Sequence, residues 1–192
     1  AKAIKRIKQK IKIPLVADIH FDWRLALLAI QNGADKIRLN PGNISKADEI
    51  SAVVKAAKAR RMPIRIGVNS GSCGRGADMG RMALNYARLF ERMRFYDIVI
   101  SLKASDVPST VEAYRFVAGR CDYPLHLGVT AAGAPEDGII KSAVAAGALL
   151  MDGIGDTIRV SLTGSPALEV EAAKKILQAA GSRAFDAEII SC

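Results

Sequence analysis

PLVADIHFDWRLALLAIQNGADKIRLN, residues 14–40, decides the fold. Its two ends, 14–19 and 36–39, are short runs rich in Val, Ile and Leu that read as strands. The segment between them reads as a helix that stops at Gly33. A strand, a helix and a second strand in so short a span make a βαβ unit, which joins parallel strands through a crossover. The alternation continues, with strands predicted over 64–68, 97–102, 124–129 and 156–162. Helix punctuation fills the gaps: Ser45 with Asp48 and Ser109 with Glu112 have capping-box spacing, and Pro135 and Pro166 suit first helical positions, the latter just after Ser165. Gly147 and Gly181, like Gly33, sit where helices should stop. Neither a linker nor a low-complexity stretch interrupts the pattern.

Each strand stops at polar residues set two or four apart: Asp18/His20, Arg38/Asn40, Arg65/Asn69, Ser101/Lys103, His126/Thr130 and Arg159/Ser161. Residues so spaced stand on one side of a strand, so each strand delivers its pair to one place. The alternation alone leaves a (β/α)8 barrel and a doubly wound sheet open. A doubly wound sheet places its ligand at one switch point, usually with a Gly-rich first turn, whereas a barrel draws on the C-terminal end of every strand. Here every strand contributes, no G-x-G-x-x-G follows the first strand, and GSCGRG (71–76) lacks the P-loop lysine. The expectation is a TIM-barrel-type α/β domain of about six βα units. Two further units are expected before residue 1, because the chain opens on what reads as the tail of a helix.

With 192 residues, 50% of them hydrophobic, the chain can bury a sizeable core. It has neither an apolar stretch approaching the ~20 residues of a membrane span nor a leader-like opening, so a soluble intracellular protein without a membrane partner is expected. Cys73, Cys121 and Cys192 are spaced too widely and irregularly for a disulfide framework or a complete metal site. The formal charge of +9 favours acidic partners, either a small polyanion or nucleic acid. Part of it lies in Lys2, Lys5, Arg6, Lys8, Lys10 and Lys12, which read as a solvated helix face. Nucleic acid is disfavoured, because aromatic residues make up only 5% and the arginines converge on a pocket instead of spreading along a stripe. Single strand-end arginines are ordinarily salt-bridge partners; three on one strand parity, with Lys103, call for an anion. Asp18 with His20 suits a structural pair or a pocket wall. His126 suits a core histidine or a phosphate donor, and Gly42 and Asn43 shape the turn after Pro41.

The runs PLVADIHFDWRLAL (14–27), KIRLNPGNI (36–44), IRIGVNSGS (64–72), SLKASDV (101–107), LHLGVT (125–130) and GIGDTIRVSLTG (153–164) closely resemble the 4-hydroxy-3-methylbut-2-enyl diphosphate synthase family, IspG/GcpE. The resemblance covers nearly the whole chain in order. It implies a (β/α)8 barrel followed by a smaller domain that carries a [4Fe–4S] cluster on three cysteines and a glutamate. It also implies a homodimer, cytoplasmic in bacteria or stromal in a plastid. The implied reaction is the reductive opening of 2-C-methyl-D-erythritol 2,4-cyclodiphosphate in isoprenoid biosynthesis, with electrons from ferredoxin or flavodoxin. On that resemblance Arg38, Arg65, Arg159 and Lys103 clamp the diphosphate, Asn40, Asn69 and Ser161 orient it, and Asp18, His20 and His126 line the pocket.

Two departures qualify the match. GVTAAG (128–133) places Ala131 where the family carries a glutamate that serves as a proton donor, so no catalytic residue is assigned. Cys192, the last residue, aligns with the first cluster ligand and lacks its partners. The expected division is a partial barrel over 1–186 and the start of a truncated cluster domain over 187–192. On this view the parent enzyme holds the cluster, and the present chain alone holds none and is inactive. The rival readings are a metal-dependent barrel enzyme using Asp18, His20 and His126, and a phosphate-binding barrel resembling dihydropteroate synthase.

Overall fold

The computed structural model of the protein describes residues 1–71 and 76–185. Among these the elements run α1 (Ile4–Lys8), β1 (Val16–Ile19), α2 (Trp23–Gln31), β2 (Lys36–Leu39), α3 (Ala47–Ala59), β3 (Ile64–Asn69), α4 (Ala77–Arg92), β4 (Ile98–Lys103), α5 (Val107–Ala118), β5 (His126–Leu127), α6 (Pro135–Met151), β6 (Thr157–Ile158) and α7 (Pro166–Ala179). The strands lie side by side in chain order and all run parallel. β1 to β4 form one ladder, β5 pairs with β6, and a single bridge between Ile100 and Leu125 joins the two. No reversal of strand order creates a switch point, which is the arrangement of a barrel wall. Residues 187–192, expected to open a second domain, lie outside the described residues, as do Cys73 and Cys192.

Strand parity separates two environments. Ile37, Leu39, Ile64, Ile66, Ile98, Ile100 and Leu102 are almost fully buried in one cluster with Ala26, Ile30, Val53, Val54, Phe90 and Val117 of the helices. The main core therefore lies between sheet and helices. A smaller cluster, Ala146, Val160, Ala172 and Ile176, holds α6 and α7 over the last strand. The alternate strand residues, Asp18, Arg38, Arg65, Ser101 and Lys103 among them, face the other side.

β2 matches its predicted span, and β3 and β4 fall within one residue of theirs. The ladders of β5 and β6 cover only two residues each, against predictions of 124–129 and 156–162. Two predicted caps are replaced. Asp106, not Ser109, caps α5, and its carboxylate accepts from the Ser109 amide at 2.8 Å. Lys46 occupies the N-cap of α3 with no side-chain bond, so the Ser45 box does not form. Pro135 and Pro166 do open α6 and α7, with the Ser165 hydroxyl accepting from the Ala167 amide. Gly147 lies inside α6; Gly153, at φ 73°, ends that helix instead. Of the leading cations, Lys8 pairs with Asp35 at 2.6 Å, and the others are exposed, as a solvated face requires.

Five helices leave for the next segment through the same turn. A residue with positive φ, namely Gly33, Arg61, Arg94, Gly153 or Gly181, follows the helix. The next amide then reaches back to the last turn: Ala34 to Ala29 O, Met62 to Ala57 O, Phe95 to Phe90 O, Ile154 to Leu149 O and Ser182 to Leu177 O, at 2.9–3.1 Å. This is the Schellman closure, which ordinarily favours glycine because other residues pay a steric cost in the left-handed region. Arg61 and Arg94, at φ 48° and 54°, pay it. Arg61→Gly and Arg94→Gly should each raise stability by about 1 kcal/mol, read as a higher urea midpoint at unchanged slope; a lower midpoint for either would contradict the turn assignment.

Candidate functional site

A cavity of about 160 Å³ opens at the C-terminal ends of the strands, lined by Asp18, His20, Arg38, Arg65, Val68, Asn69, Ser101, Lys103, Thr130 and Arg159. It is smaller than the ~300–1,000 Å³ of sites for drug-sized ligands and suits a compact anion. β1 supplies the carboxylate and the residue just after it a histidine, and β2, β3, β4 and the segment after β6 each supply a cation. In-register pairing sets the order, with Asp18 opposite Arg38, Arg38 opposite Arg65, and Asn69 opposite Lys103.

Arg38 is held on two sides. Its guanidinium donates to Asp18 Oδ1 at 3.0 Å and to the Gly67 carbonyl at 2.8 Å, and its side chain is only 12% exposed. Gly67 makes the space: a Cβ there would stand 2.1 Å from Arg38 Nε. His20 Nε2 lies 3.9 Å from Asp18 Oδ2. Among the described residues Asp18 is the one carboxylate lining the cavity, against three arginines and a lysine. The excess of positive charge acts on the groups themselves. Burial, and then the charges of Arg159, Arg65 and Arg38, pull Lys103 down to about 7, opposed only by Asp18. Burial chiefly lowers Arg65 as well, with Arg38 and Arg159 adding to the effect and Asp18 opposing it. Two further polar groups, the Ser101 and Thr130 hydroxyls, complete the wall.

Seven of the ten residues expected at the site line this cavity; Asn40, His126 and Ser161 do not. Asn40 is buried and its Oδ1 accepts from the Gly42 amide at 3.0 Å, so it builds the β2–α3 turn. His126 places Nδ1 2.8 Å from Thr157 Oγ1, while its Nε2 is buried without a partner among the described residues. Burial first, then Lys103, Arg65, Lys36 and Arg159, hold this ring neutral, with its pKa far below the ordinary histidine value. Ser161 receives a hydrogen bond from Arg159 Nη2 at 3.4 Å and so steadies that side chain. Sequence reasoning missed the two glycines that make room. Gly67 is one. Gly128, at φ 156°, is the other: a Cβ there would stand 2.5 Å from the Arg159 carbonyl and 3.4 Å from Lys103 Cε. A glycine inside a predicted strand was the available signal for both.

Ala131 is exposed, follows Thr130 at the cavity edge, and holds φ 49°. Cys121 is a free, half-buried thiol that burial pushes upward. Among the described residues no group of three or more His, Cys, Asp or Glu side chains could hold a metal ion. The alternative of a metal site on Asp18, His20 and His126 is therefore not assembled. The residue named for the cluster, Cys192, lies outside the described residues. No described helix is long and apolar enough to cross a membrane.

Proteins of the same name recur among the chain's relatives. It is 55% identical to the 4-hydroxy-3-methylbut-2-en-1-yl diphosphate synthase (flavodoxin) of Caldanaerobacter subterraneus subsp. tengcongensis, over all of this chain and 57% of that protein. It is 53% identical to the synthase of that name from Thermotoga maritima, with the same coverage. The corresponding protein of Geobacillus kaustophilus is also 53% identical, over all of this chain and 54% of its own length. The chain thus spans a little over half the length of the curated relatives it matches. Among solved structures, a 2,3-dimethylmalate lyase of the PEP mutase/isocitrate lyase superfamily superposes with a TM-score of 0.51 at 13% identity, over 93% of this chain and 67% of that one. That likeness concerns the fold alone. The family model described as the GcpE TIM-barrel domain matches residues 1–174, the span that supplies every wall of the cavity, and the chain belongs to that family.

Proposed function

We propose that the cavity binds the diphosphate of 2-C-methyl-D-erythritol 2,4-cyclodiphosphate. The protein is then the barrel part, residues 1–186, of the enzyme that reduces this compound to (E)-4-hydroxy-3-methylbut-2-enyl diphosphate for isoprenoid synthesis. The observation that carries the reading is the cluster of Arg38, Arg65, Lys103 and Arg159 around one cavity with a single carboxylate among the described residues. Such a cluster is costly until an anion meets it. The arginines offer two-pronged donors to phosphate oxygens, and Lys103 offers a point charge. The relatives' shared name, a diphosphate synthase that uses flavodoxin, supports both the substrate class and flavodoxin as the electron donor. In this reading the working enzyme is a cytoplasmic homodimer whose [4Fe–4S] cluster rests on residues that include Cys192. The described residues provide no ligand set for that cluster, so the part of the reaction assigned to them is binding and orienting the anion. Arg38 is already fixed by Asp18 and Gly67, which lowers the ordering cost on binding. Ala131 has no proton to give, so the barrel supplies no acid at that position.

The test is calorimetric titration with the cyclodiphosphate, each of whose phosphates carries one ester and one anhydride linkage and a single strongly acidic oxygen, so that its charge is constant over the pH range concerned. A free-state Lys103 near 7 gives the sign. Below pH 7 the ammonium is already present and affinity should be flat. Above it, binding must bring a proton, so affinity should fall by up to about tenfold per pH unit until the bound-state value is reached. Buffers of different ionisation enthalpy at about pH 8 should report uptake of close to one proton. Absence of binding in the micromolar range would defeat the proposal; binding without proton uptake would mean that Lys103 is already charged in the free protein, and Lys103→Met binding as tightly as wild type would remove it from the clamp.

A further inference from the structure

Between β4 and β5 the ladder should have a rung that it lacks. With Ile100 opposite Leu125, the Ile100 amide donates to Pro124 O at 2.9 Å. Two residues on, a parallel ladder would send the Leu102 amide to His126 O. Further on again, the Thr130 amide donates to Ala104 O at 2.9 Å, so the register is the same on both sides of the gap. The missing rung is filled by a side chain. Tyr114, fully buried on α5, accepts from the Leu102 amide at 2.9 Å and donates to His126 O. Its remaining polar neighbour is the Ser101 side chain, which lines the cavity.

A rung relayed through one oxygen is wider than a direct one, and the widening falls where the site needs it. Lys103 follows Leu102, and Gly128 stands across the seam with its missing Cβ 3.4 Å from Lys103 Cε. A direct Leu102–His126 rung would draw β5 towards the stem of Lys103. We propose that the Tyr114 hydroxyl is a spacer in the β4–β5 seam and a positioning residue for Lys103 in the anion cavity. The role in binding rests on the function proposed above; the role in placing Lys103 does not. Burial raises the Tyr114 phenol well above its ordinary value, so it stays a neutral donor and acceptor at any pH at which the cavity works.

The experiment uses the 192-residue chain with Tyr114→Phe, which keeps the ring and removes the oxygen. Two readouts are taken: the titration of Lys103, followed through its 13Cε resonance, and the affinity for inorganic pyrophosphate. The groups facing Lys103 are Asp18 from β1, Arg38 from β2, Arg65 from β3, His126 from β5 and Arg159 beyond β6. Collapse of the seam changes its distances to all of them, so its midpoint should move and pyrophosphate should bind roughly ten- to a hundredfold more weakly. A residue that merely stabilises the fold would lower the melting temperature and leave the Lys103 midpoint where it was; that result overturns the proposal. If wild type fails to bind pyrophosphate while the Lys103 midpoint still moves in Tyr114→Phe, the spacer stands and the anion reading falls. Should Tyr114→Phe fail to fold, 3-fluorotyrosine placed at 114 keeps the oxygen. Its 19F signal should then follow the Lys103 titration read from the 13Cε resonance, and a signal that stays constant while Lys103 titrates overturns the proposal equally.

Discussion

Arg38→Ala should weaken binding of the cyclodiphosphate by about a hundredfold or more while the protein stays folded. The magnitude follows from the loss of a forked, charge-assisted donor in a partly desolvated site, an interaction whose truncation costs about 2–5 kcal/mol. Arg38 is half of an arrangement, because Asp18 and the Gly67 carbonyl hold its guanidinium before any ligand arrives. Gly67→Ala should therefore weaken binding without touching a single charge. The new methyl would sit 2.1 Å from Arg38 Nε, and the flexible arginine would yield instead of the backbone. The two variants form a pair in calorimetry. If Arg38→Ala binds within threefold of wild type, the clamp is wrong; if only Gly67→Ala does, Arg38 is not held in place by its neighbours.

Gly128→Ala is expected to have the largest effect on stability, a loss of about 3 kcal/mol. Here the obstacle is the Arg159 carbonyl at 2.5 Å, and the backbone sits at φ 156°. A carbonyl cannot step aside as a side chain does, so β5 and the segment after β6 must part. The Arg159 amide, which donates to Leu127 O at 2.9 Å, is the bond in the way. Urea unfolding should show a lower midpoint at unchanged slope. An unchanged midpoint would mean that the two segments do not approach as closely as described.

The parts of this fold legible in the sequence were those governed by local rules. Lys36–Leu39, Ile64–Asn69 and Ile98–Lys103 are legible as strands by their short runs of Ile, Val and Leu, and buried and half-buried residues alternate along the first and at the start of the other two. The ends of β5 and β6 were not legible, because a tyrosine from a helix takes one rung and a glycine opposite a carbonyl sets the next spacing. Those are contacts between segments far apart in the chain. The site divides in the same way. Strand parity brought Asp18, His20, Arg38, Arg65, Asn69, Lys103 and Arg159 to one cavity. It could not show that Asn40 would turn back to the Gly42 amide, that His126 would pair with Thr157, or that Ser161 would serve Arg159. Nor could it weigh a cap: Asp106 stands three residues before Ser109 and takes the amide that the box would have used.

The five repeated turns bear on how such a protein can change over time. All lie at the end of the sheet away from the cavity, and each is closed by main-chain bonds whose formation does not depend on the side chain beyond its tolerance for a left-handed backbone. Two positions already carry arginine against that preference. Substitutions, peptide tags or engineered chain breaks can accumulate at that end with the cation cage undisturbed. The opposite rim has no such latitude, since a methyl group at Gly67 or Gly128 meets the machinery itself. The turn positions are open to drift and the two crowded glycines of the rim are closed to it, and a protein engineer would choose the former for modifications that must not be felt at the latter.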